Sequence, residues 1–401
     1  MTLPRVHHAA FAILVLFAVG CRDPATVEPV PATTQAATPA AAPTSAVPTS
    51  AVPTARPEGA GGSDVVPAAV ADAGAPRSTQ RDPAAATGLG PASLTPLSDE
   101  QRTVFMAGEA DDPIPVEIHY VQSNETRHDL WFDFVADKGG AFVGVGSDQS
   151  FTVMAVQRAE FAFLMDIDYR VVDLHRMYDV LIRAHDNPRA LVDAWHERNE
   201  ASTGAMLAEA LGEMDEKARG RLLRGFVTAR ETVYRHLERV IARTRGGEPT
   251  TWLSDADNYA HVRAMYQTGR VRMMPGNLAG DRSLRTVGAA ARALGVPINA
   301  LYMSNAEEYF KYIPDFVANI EALPTAPGSV VLRTIYSKKW VHADLWAYQV
   351  QQLDDFRVRL ADKKNRSRNP MLRYADLEGE LEKDTGAEGL TLVALERPAV
   401  R

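Results

Sequence analysis

The chain has 401 residues, a formal net charge of -8 and one cysteine. An acidic balance without a long basic run excludes the electrostatic footprint of a nucleic-acid binder, and a lone thiol excludes an internal disulfide or a thiolate metal site. The length allows one large α/β domain once an atypical first part is set aside.

That first part opens with residues 1–8, carrying Arg5, and continues into the apolar run 9–19 and Gly20-Cys21. The run is too short to span a bilayer comfortably, so residues 1–20 read as a signal peptide. Ala18-Val19-Gly20-Cys21 resembles the lipobox of bacterial lipoproteins. The resemblance implies that Cys21 is lipidated and becomes the mature N-terminus. It makes the membrane a partner and places the protein in the cell envelope, outside the cytoplasm. Arg22 stands where an aspartate commonly marks inner-membrane retention, which favours the outer membrane. Residues 21–97 are rich in Ala, Pro, Thr, Val and Gly, include TSAVPTSAVPT, and have no aromatic residue. Without a periodic apolar face they cannot offset the entropy of ordering, and they read as a disordered tether kept extended by its prolines.

The folded region is expected over 98–401, opening with a helix at Asp99, Glu100 and Gln101. Alternation predicts strands over 115–121 and 129–135. Residues 139–168, GGAFVGVGSDQSFTVMAVQRAEFAFLMDID, then read as strand, glycine turn, helix, strand and acid. Ala141, Phe142, Val143 and Val145 lead into Gly144-Val145-Gly146, where missing side chains let the backbone turn sharply. Ser147 or Asp148 caps a helix over 149–159, and the apolar run 161–165 ends in Asp166-Ile167-Asp168. A helix follows over 171–185, and 188–247 reads as a helical insertion or cap closed by Gly246-Gly247. Strands are expected at 271–274, 298–303, 329–335 and 390–395, with helices at 283–294, 312–323 and 345–360. The fold class is therefore α/β, a mostly parallel Rossmann-like sheet with helices on both faces and a helical insertion.

Five strand tips end in small or polar residues, and in an open parallel sheet ligands bind in the crevice those tips form. Asp166 lies at the distance from Gly146 at which an acid on the second strand reaches a ribose hydroxyl, so the unit is either a nucleotide-type site or an ordinary tight turn. Ser304, Asn305, Glu307 and Tyr309 form the densest polar cluster on a strand tip. Ser304, Asn305 and Glu307 are candidates to orient a nucleophile and accept its proton, or else a helix cap. Tyr336, Lys338, Lys339, Trp340 and His342 follow the next strand, either as solvated residues or as a grip on an acidic substrate. The basic patch 363–368 reads as a solvated loop. His175, His185, His196, His236, His261 and His342 show no paired spacing, so no metal site is expected. GxxxxGK[ST], HExxH and GxSxG are absent.

The order of elements from Trp131 to Arg397 resembles a class I S-adenosylmethionine-dependent methyltransferase, a Rossmann-like sheet with a late antiparallel strand. The SDQSFT, SNAEEY and KKWVHAD stretches are similar to an uncharacterised group of bacterial proteins with this fold. The resemblance implies S-adenosylmethionine as cofactor, with Gly144, Gly146 and Asp148 in the glycine motif and Asp166 or Asp168 on the ribose. Gly276-Asn277 falls at the adenine contact, and Ser304-Asn305 at the substrate or catalytic position. Phe142 stands where the family usually has an acid, and Asp148 where a third glycine is common. Export conflicts with a cofactor made and held in the cytoplasm. Three functions remain open: an exported lipoprotein with a methyltransferase-like domain, a non-catalytic binding or scaffold lipoprotein that has lost the cofactor, and an NAD-dependent oxidoreductase.

Overall fold

A computed structural model describes residues 94–395 except 115, 117 and 118; the expected signal peptide, Cys21 and the tether up to residue 93 lie outside them. Ser98 opens α1 (Asp99–Met106) with a capping box, its hydroxyl accepting from the Gln101 N–H while the Gln101 side chain accepts from its own. After a 3-10 turn at His128–Trp131 and the single-turn α2 (Phe132–Val135), the α/β unit follows: β1 (Ala141–Val145), α3 (Gln149–Val156), β2 (Phe161–Asp166) and α4 (Tyr169–Ala184). The insertion supplies α5 (Pro188–Ala194), α6 (Glu200–Ala210), α7 (Glu216–Ile241) and a hairpin, β3 (Thr244–Arg245) and β4 (Glu248–Pro249). Next come α8 (Ala256–Gln267), β5 (Val271–Pro275), α9 (Ser283–Ala293), β6 (Ile298–Tyr302), α10 (Pro314–Glu321) and β7 (Val330–Ile335). The chain closes with β8 (Ala347–Gln352), α11 (Leu353–Ala361), α12 (Arg368–Leu377), β9 (Leu381–Glu382) and β10 (Leu390–Val393).

Eight strands make one sheet in the order β5-β2-β1-β6-β7-β8-β10-β9. From β5 to β7 all neighbours are parallel; β8 is antiparallel to β7, β10 is parallel to β8, and β9 is antiparallel to β10. The fold is thus α/β with a mostly parallel sheet. Its chain order reverses between β1 and β6, the switch point at which a crevice opens beyond the strand tips.

The pleat sorts the core into two layers. Phe142, Ala162, Leu164, Tyr302 and Leu332 face the layer that holds α3, α4, α7 and α8. Val143, Val145, Phe163, Met165 and Val331 face the layer of α9, α10, α11 and α12. Each of the Val, Leu, Phe and Met side chains among them is worth about 1.5–3 kcal/mol when fully buried.

Three expectations change. The stretch 129–135 alternates on paper but is helical, because Trp131, Phe134 and Val135 are the buried positions and their spacing is that of one helix face. In the expected strand 115–121, positions 116 and 119–121 are described and belong to no strand; the others lie outside the described residues. The expected helix 345–360 is a strand followed by a helix, since 347–352 pairs along all of β7 before α11 begins at Leu353. Helix α8 had no expected counterpart, and neither did α12, which begins where the basic patch ends.

Candidate functional site

The described residues of 107–128, all but 115, 117 and 118, lie along the carboxyl ends of the sheet as a strap, anchored at one strand after another. Arg272 of β5, buried, donates to the carbonyls of Ala107 (2.7 Å) and Gly108 (3.3 Å). Asp111, also buried, accepts from the backbone N–H groups of Asn277 (3.0 Å), Arg282 (3.1 Å) and Ser283 (3.3 Å). It thereby places its own carboxylate at the N-terminus of α9, where an anion is favoured. The Ile114 N–H donates to the Ile167 carbonyl, and His119 Nδ1 lies 2.7 Å from Asp168 Oδ2 at the tip of β2. Farther on, Gln122 accepts from Arg239 of α7, and Asn124 accepts from the indole of Trp346.

At the switch point the strap delivers Glu125, which is 2% exposed. Its carboxylate accepts from Ser304 Oγ (2.6 Å), Tyr302 OH (2.7 Å) and Thr334 Oγ1 (2.9 Å), and lies 3.1 Å from His128 Nε2. Burying a carboxylate is costly unless its lone pairs are filled, and here hydroxyls from β6, the β6 tip and β7 fill them. With four polar partners around it, this side chain serves as an anchor for the strap. Thr126 and Arg127 complete the crossing by donating their N–H groups to the Tyr348 hydroxyl at 2.9 Å each.

The glycine turn serves this arrangement. A Cβ on Gly144 would stand 2.5 Å from the Phe142 ring and 2.7 Å from Ser150 Oγ, so the bare backbone is what lets α3 lie on β1. Gly146 has a φ of +86° and donates its N–H to Asp166 Oδ2 (3.1 Å), while the Gln149 amide occupies the space above its Cα. Asp166 also accepts from the Asp168 N–H (2.8 Å). Burial pushes its carboxyl up to about 6, against the pull of those backbone bonds. The residue keeps some surface, but its carboxylate is out of water. Asp168 caps α4 by accepting from the Arg170 N–H at 2.9 Å.

Asp148 points away from the strand-tip crevice. It is buried 2.8 Å from His236 Nε2 of α7 and accepts a long bond from the Trp252 indole. Burial alone would raise its carboxyl, but the His236 charge and hydrogen bond outweigh that and hold it below its ordinary value. The insertion is therefore locked to the glycine turn through this pair. His175, fully buried, lies with Nε2 2.8 Å from the Gly146 carbonyl, and desolvation pushes it down to about 4.

On the tip of β6, Ser304 has a φ of +50°, a backbone conformation that L residues adopt at a cost of order 1–3 kcal/mol. Among the described residues the Asn305 side chain hydrogen-bonds only to the Tyr309 hydroxyl, at 3.4 Å, and caps no backbone N–H. Glu307 turns into the protein, where its Oε2 lies 2.7 Å from Nε of Arg333, a fully buried residue of β7. The Nε–H is not aimed along that line, so the pair is an ion contact without a directed hydrogen bond. Arg333 Nη1 donates to Gln349 and Gln351 of β8, and Tyr312 donates to Glu307. Asn277 gives its N–H to Asp111, and its side-chain oxygen accepts from the Ala279 N–H.

Of the sequence candidates, Asn277, Asp168 and Ser304 bond to the strap, Asp166 and Gly146 are linked to it through Asp168, and Asp148 and Glu307 are engaged in buried pairs on either side of the sheet. Sequence reasoning passed over Asp111, His119 and Glu125. No local signal marks them, since each is a single polar residue in a loop whose partners lie far away in the chain.

A groove of about 730 Å³ lies elsewhere, between α6 and α7, lined among others by Glu200, Gly204, Leu223, Phe226 and Arg230. It shares no residue with the strand tips. Among the described residues no group of His, Cys, Asp and Glu is arranged to hold a metal, and no helix is long and apolar enough to cross a membrane. Residues 120–394 match the model of a family described as a domain of unknown function, DUF7790. No curated protein matches the chain.

Proposed function

The chain belongs to the DUF7790 family, and we propose that it is an exported lipoprotein whose methyltransferase-like domain works as a non-catalytic binding or scaffold module. The observation that carries this reading is the strap. Asp111, His119 and Glu125 take up the polar groups at the tips of β5, β2, β6 and β7, and Gln149 fills the space over Gly146. A resident S-adenosylmethionine or NAD does not fit that arrangement, because the ribose acid and the glycine turn are satisfied by one another and by the chain. Export supports it further, since the apolar run before Cys21 would carry the domain away from the compartment that holds those cofactors.

One observation favours the alternative of an active methyltransferase with the strap displaced. Asp166, at the tip of the second strand, has backbone donors and no cationic partner among the described residues, as a carboxylate awaiting ribose hydroxyls would.

Thermal unfolding of the mature chain, with S-adenosylhomocysteine, S-adenosylmethionine and NAD added separately, decides between the two. A specific binder at a hundred times its dissociation constant stabilises the native state by about 2.7 kcal/mol, a shift of several degrees. The binding-module reading expects no shift. A rise with S-adenosylhomocysteine that vanishes in Gly146→Leu overturns it.

A further inference from the structure

Three neighbouring segments at the carboxyl edge expose apolar and aromatic side chains together. Tyr309 and Ile313 follow β6, Tyr336, Val341 and Leu345 lie between β7 and β8, and Tyr120 belongs to the strap; all are exposed, Val341 to 64% and Tyr336 to 54%. The segments after β6 and β7 are joined by one hydrogen bond. The Tyr336 N–H donates to Glu308, its ring lies 5.6 Å from that of His342 and 6.1 Å from that of Trp346, and Tyr309 meets Asn305. Tyr120 stands near enough to Tyr309 to act on it electrostatically. A contiguous patch of this kind on one edge of a domain marks a contact surface, whereas scattered single apolar residues do not.

The charges in the patch are one-sided. Lys311, Lys338 and Lys339 are exposed and make no ion pair among the described residues. The nearby acids are occupied: Glu308 lies 3.1 Å from Arg368, Asp315 pairs with Arg285, and Asp344 accepts from Thr126 Oγ1 and the Tyr348 hydroxyl. What is offered outward is therefore aliphatic side chains for hydrocarbon, tyrosines for the level of the headgroups, and lysines for anionic phosphates, with Trp340 half-buried beside them. Amphipathic aromatics sit where one end is apolar and the other wet, and each lysine close to an anionic surface contributes about a factor of five in affinity.

We propose that the loops after β6 and β7 form a membrane-docking face that lays the carboxyl edge of the domain on an anionic lipid surface. The lipid-anchor reading bears on which membrane is met, but the face is tested without the anchor. A chain of residues 21–401 with Cys21→Ala carries no acyl group. It is sedimented with vesicles of phosphatidylglycerol mixed with phosphatidylcholine, and with vesicles of phosphatidylcholine alone, while tryptophan emission is followed.

Binding is expected to the anionic vesicles, to weaken with salt, and to shift the emission to the blue as Trp340 enters the interface. Lys338→Gln with Lys339→Gln should weaken it roughly 25-fold, two lysines at about a factor of five each. Val341→Asp should abolish the emission shift. Unchanged thermal unfolding in each variant shows that the fold is intact. Absence of binding to anionic vesicles overturns the proposal, as does binding that the lysine pair does not alter. Capture of an acidic polypeptide such as polyglutamate without lipid binding also overturns it, and marks the patch as a protein contact. None of these results depends on whether Cys21 is lipidated, so failure of the docking face leaves the anchor reading standing, and the reverse.

Discussion

Glu125 reaches Ser304 at 2.6 Å across 179 positions of sequence, joining the strap to the tip of β6. The same carboxylate holds Tyr302 and Thr334, both buried. Glu125→Ala leaves those hydroxyls without their acceptor, at about 1–3 kcal/mol for each buried group left unpaired. The expected result is a loss of several kcal/mol in urea unfolding and new proteolytic cleavage within 107–128. Retained stability with an uncut strap would show that the carboxylate is incidental.

The two glycines of the turn should respond differently. Gly144→Ala drives a methyl into the Phe142 ring and Ser150, and overpacking of this kind costs about 1–3 kcal/mol. At Gly146 the obstacle is the movable end of Gln149, so the cost of Gly146→Ala is set by the φ of +86°, of order 1–3 kcal/mol. Gln149→Ala should therefore rescue nothing in the Gly146→Ala background, and melting temperatures of the single and double variants test this.

Glu307→Ala strands Arg333 as a buried cation, which costs about 3–5 kcal/mol. Replacing both members, Glu307→Met with Arg333→Met, removes charge and counter-charge together and should recover most of that loss. A double variant as unstable as the single one would mean that the hydrogen bonds of Arg333 to Gln349 and Gln351 matter more than the ion contact.

Asp166 and His175 give stability opposite dependences on pH. The Asp166 carboxyl is raised to about 6, so its contribution is fully present below its unfolded value near 4 and is lost as pH rises through 6. His175 is lowered to about 4, so its contribution is present above its unfolded value near 6.5 and is lost as pH falls through 4. Each is worth about 3 kcal/mol by linkage. In a comparison of Asp166→Asn with the wild type the histidine cancels. The stability of the variant relative to the wild type should rise by about 3 kcal/mol between pH 4 and 7 in urea titrations. A flat difference would place the carboxylate in water.

Much of the sheet was legible because its strands announce themselves. The buried parallel strand Phe161–Asp166 is a continuous apolar run up to its terminal acid, and no other element competes for it. Strand β8 was not legible. AYQVQQ carries polar residues at Gln349 and Gln351 that look solvent-facing, yet both are buried because Arg333 and Thr391 satisfy them from neighbouring strands. The glycine turn and its acid were readable as local spacing. What fills the crevice was not, because a polar residue such as Glu125 acquires meaning only from hydroxyls contributed by strands far along the chain.

The strap also sets an order of events during synthesis. Glu125 and Thr126 leave the ribosome early, while Thr334 follows 209 positions after Glu125 and Asp344 follows 218 positions after Thr126. Loops of that length close slowly, and contacts of such separation form late. The oldest part of the domain therefore waits for the youngest. During that wait the Glu125 carboxylate faces water instead of the hydroxyls of Tyr302, Ser304 and Thr334, so a segment made early is among the last to be fixed.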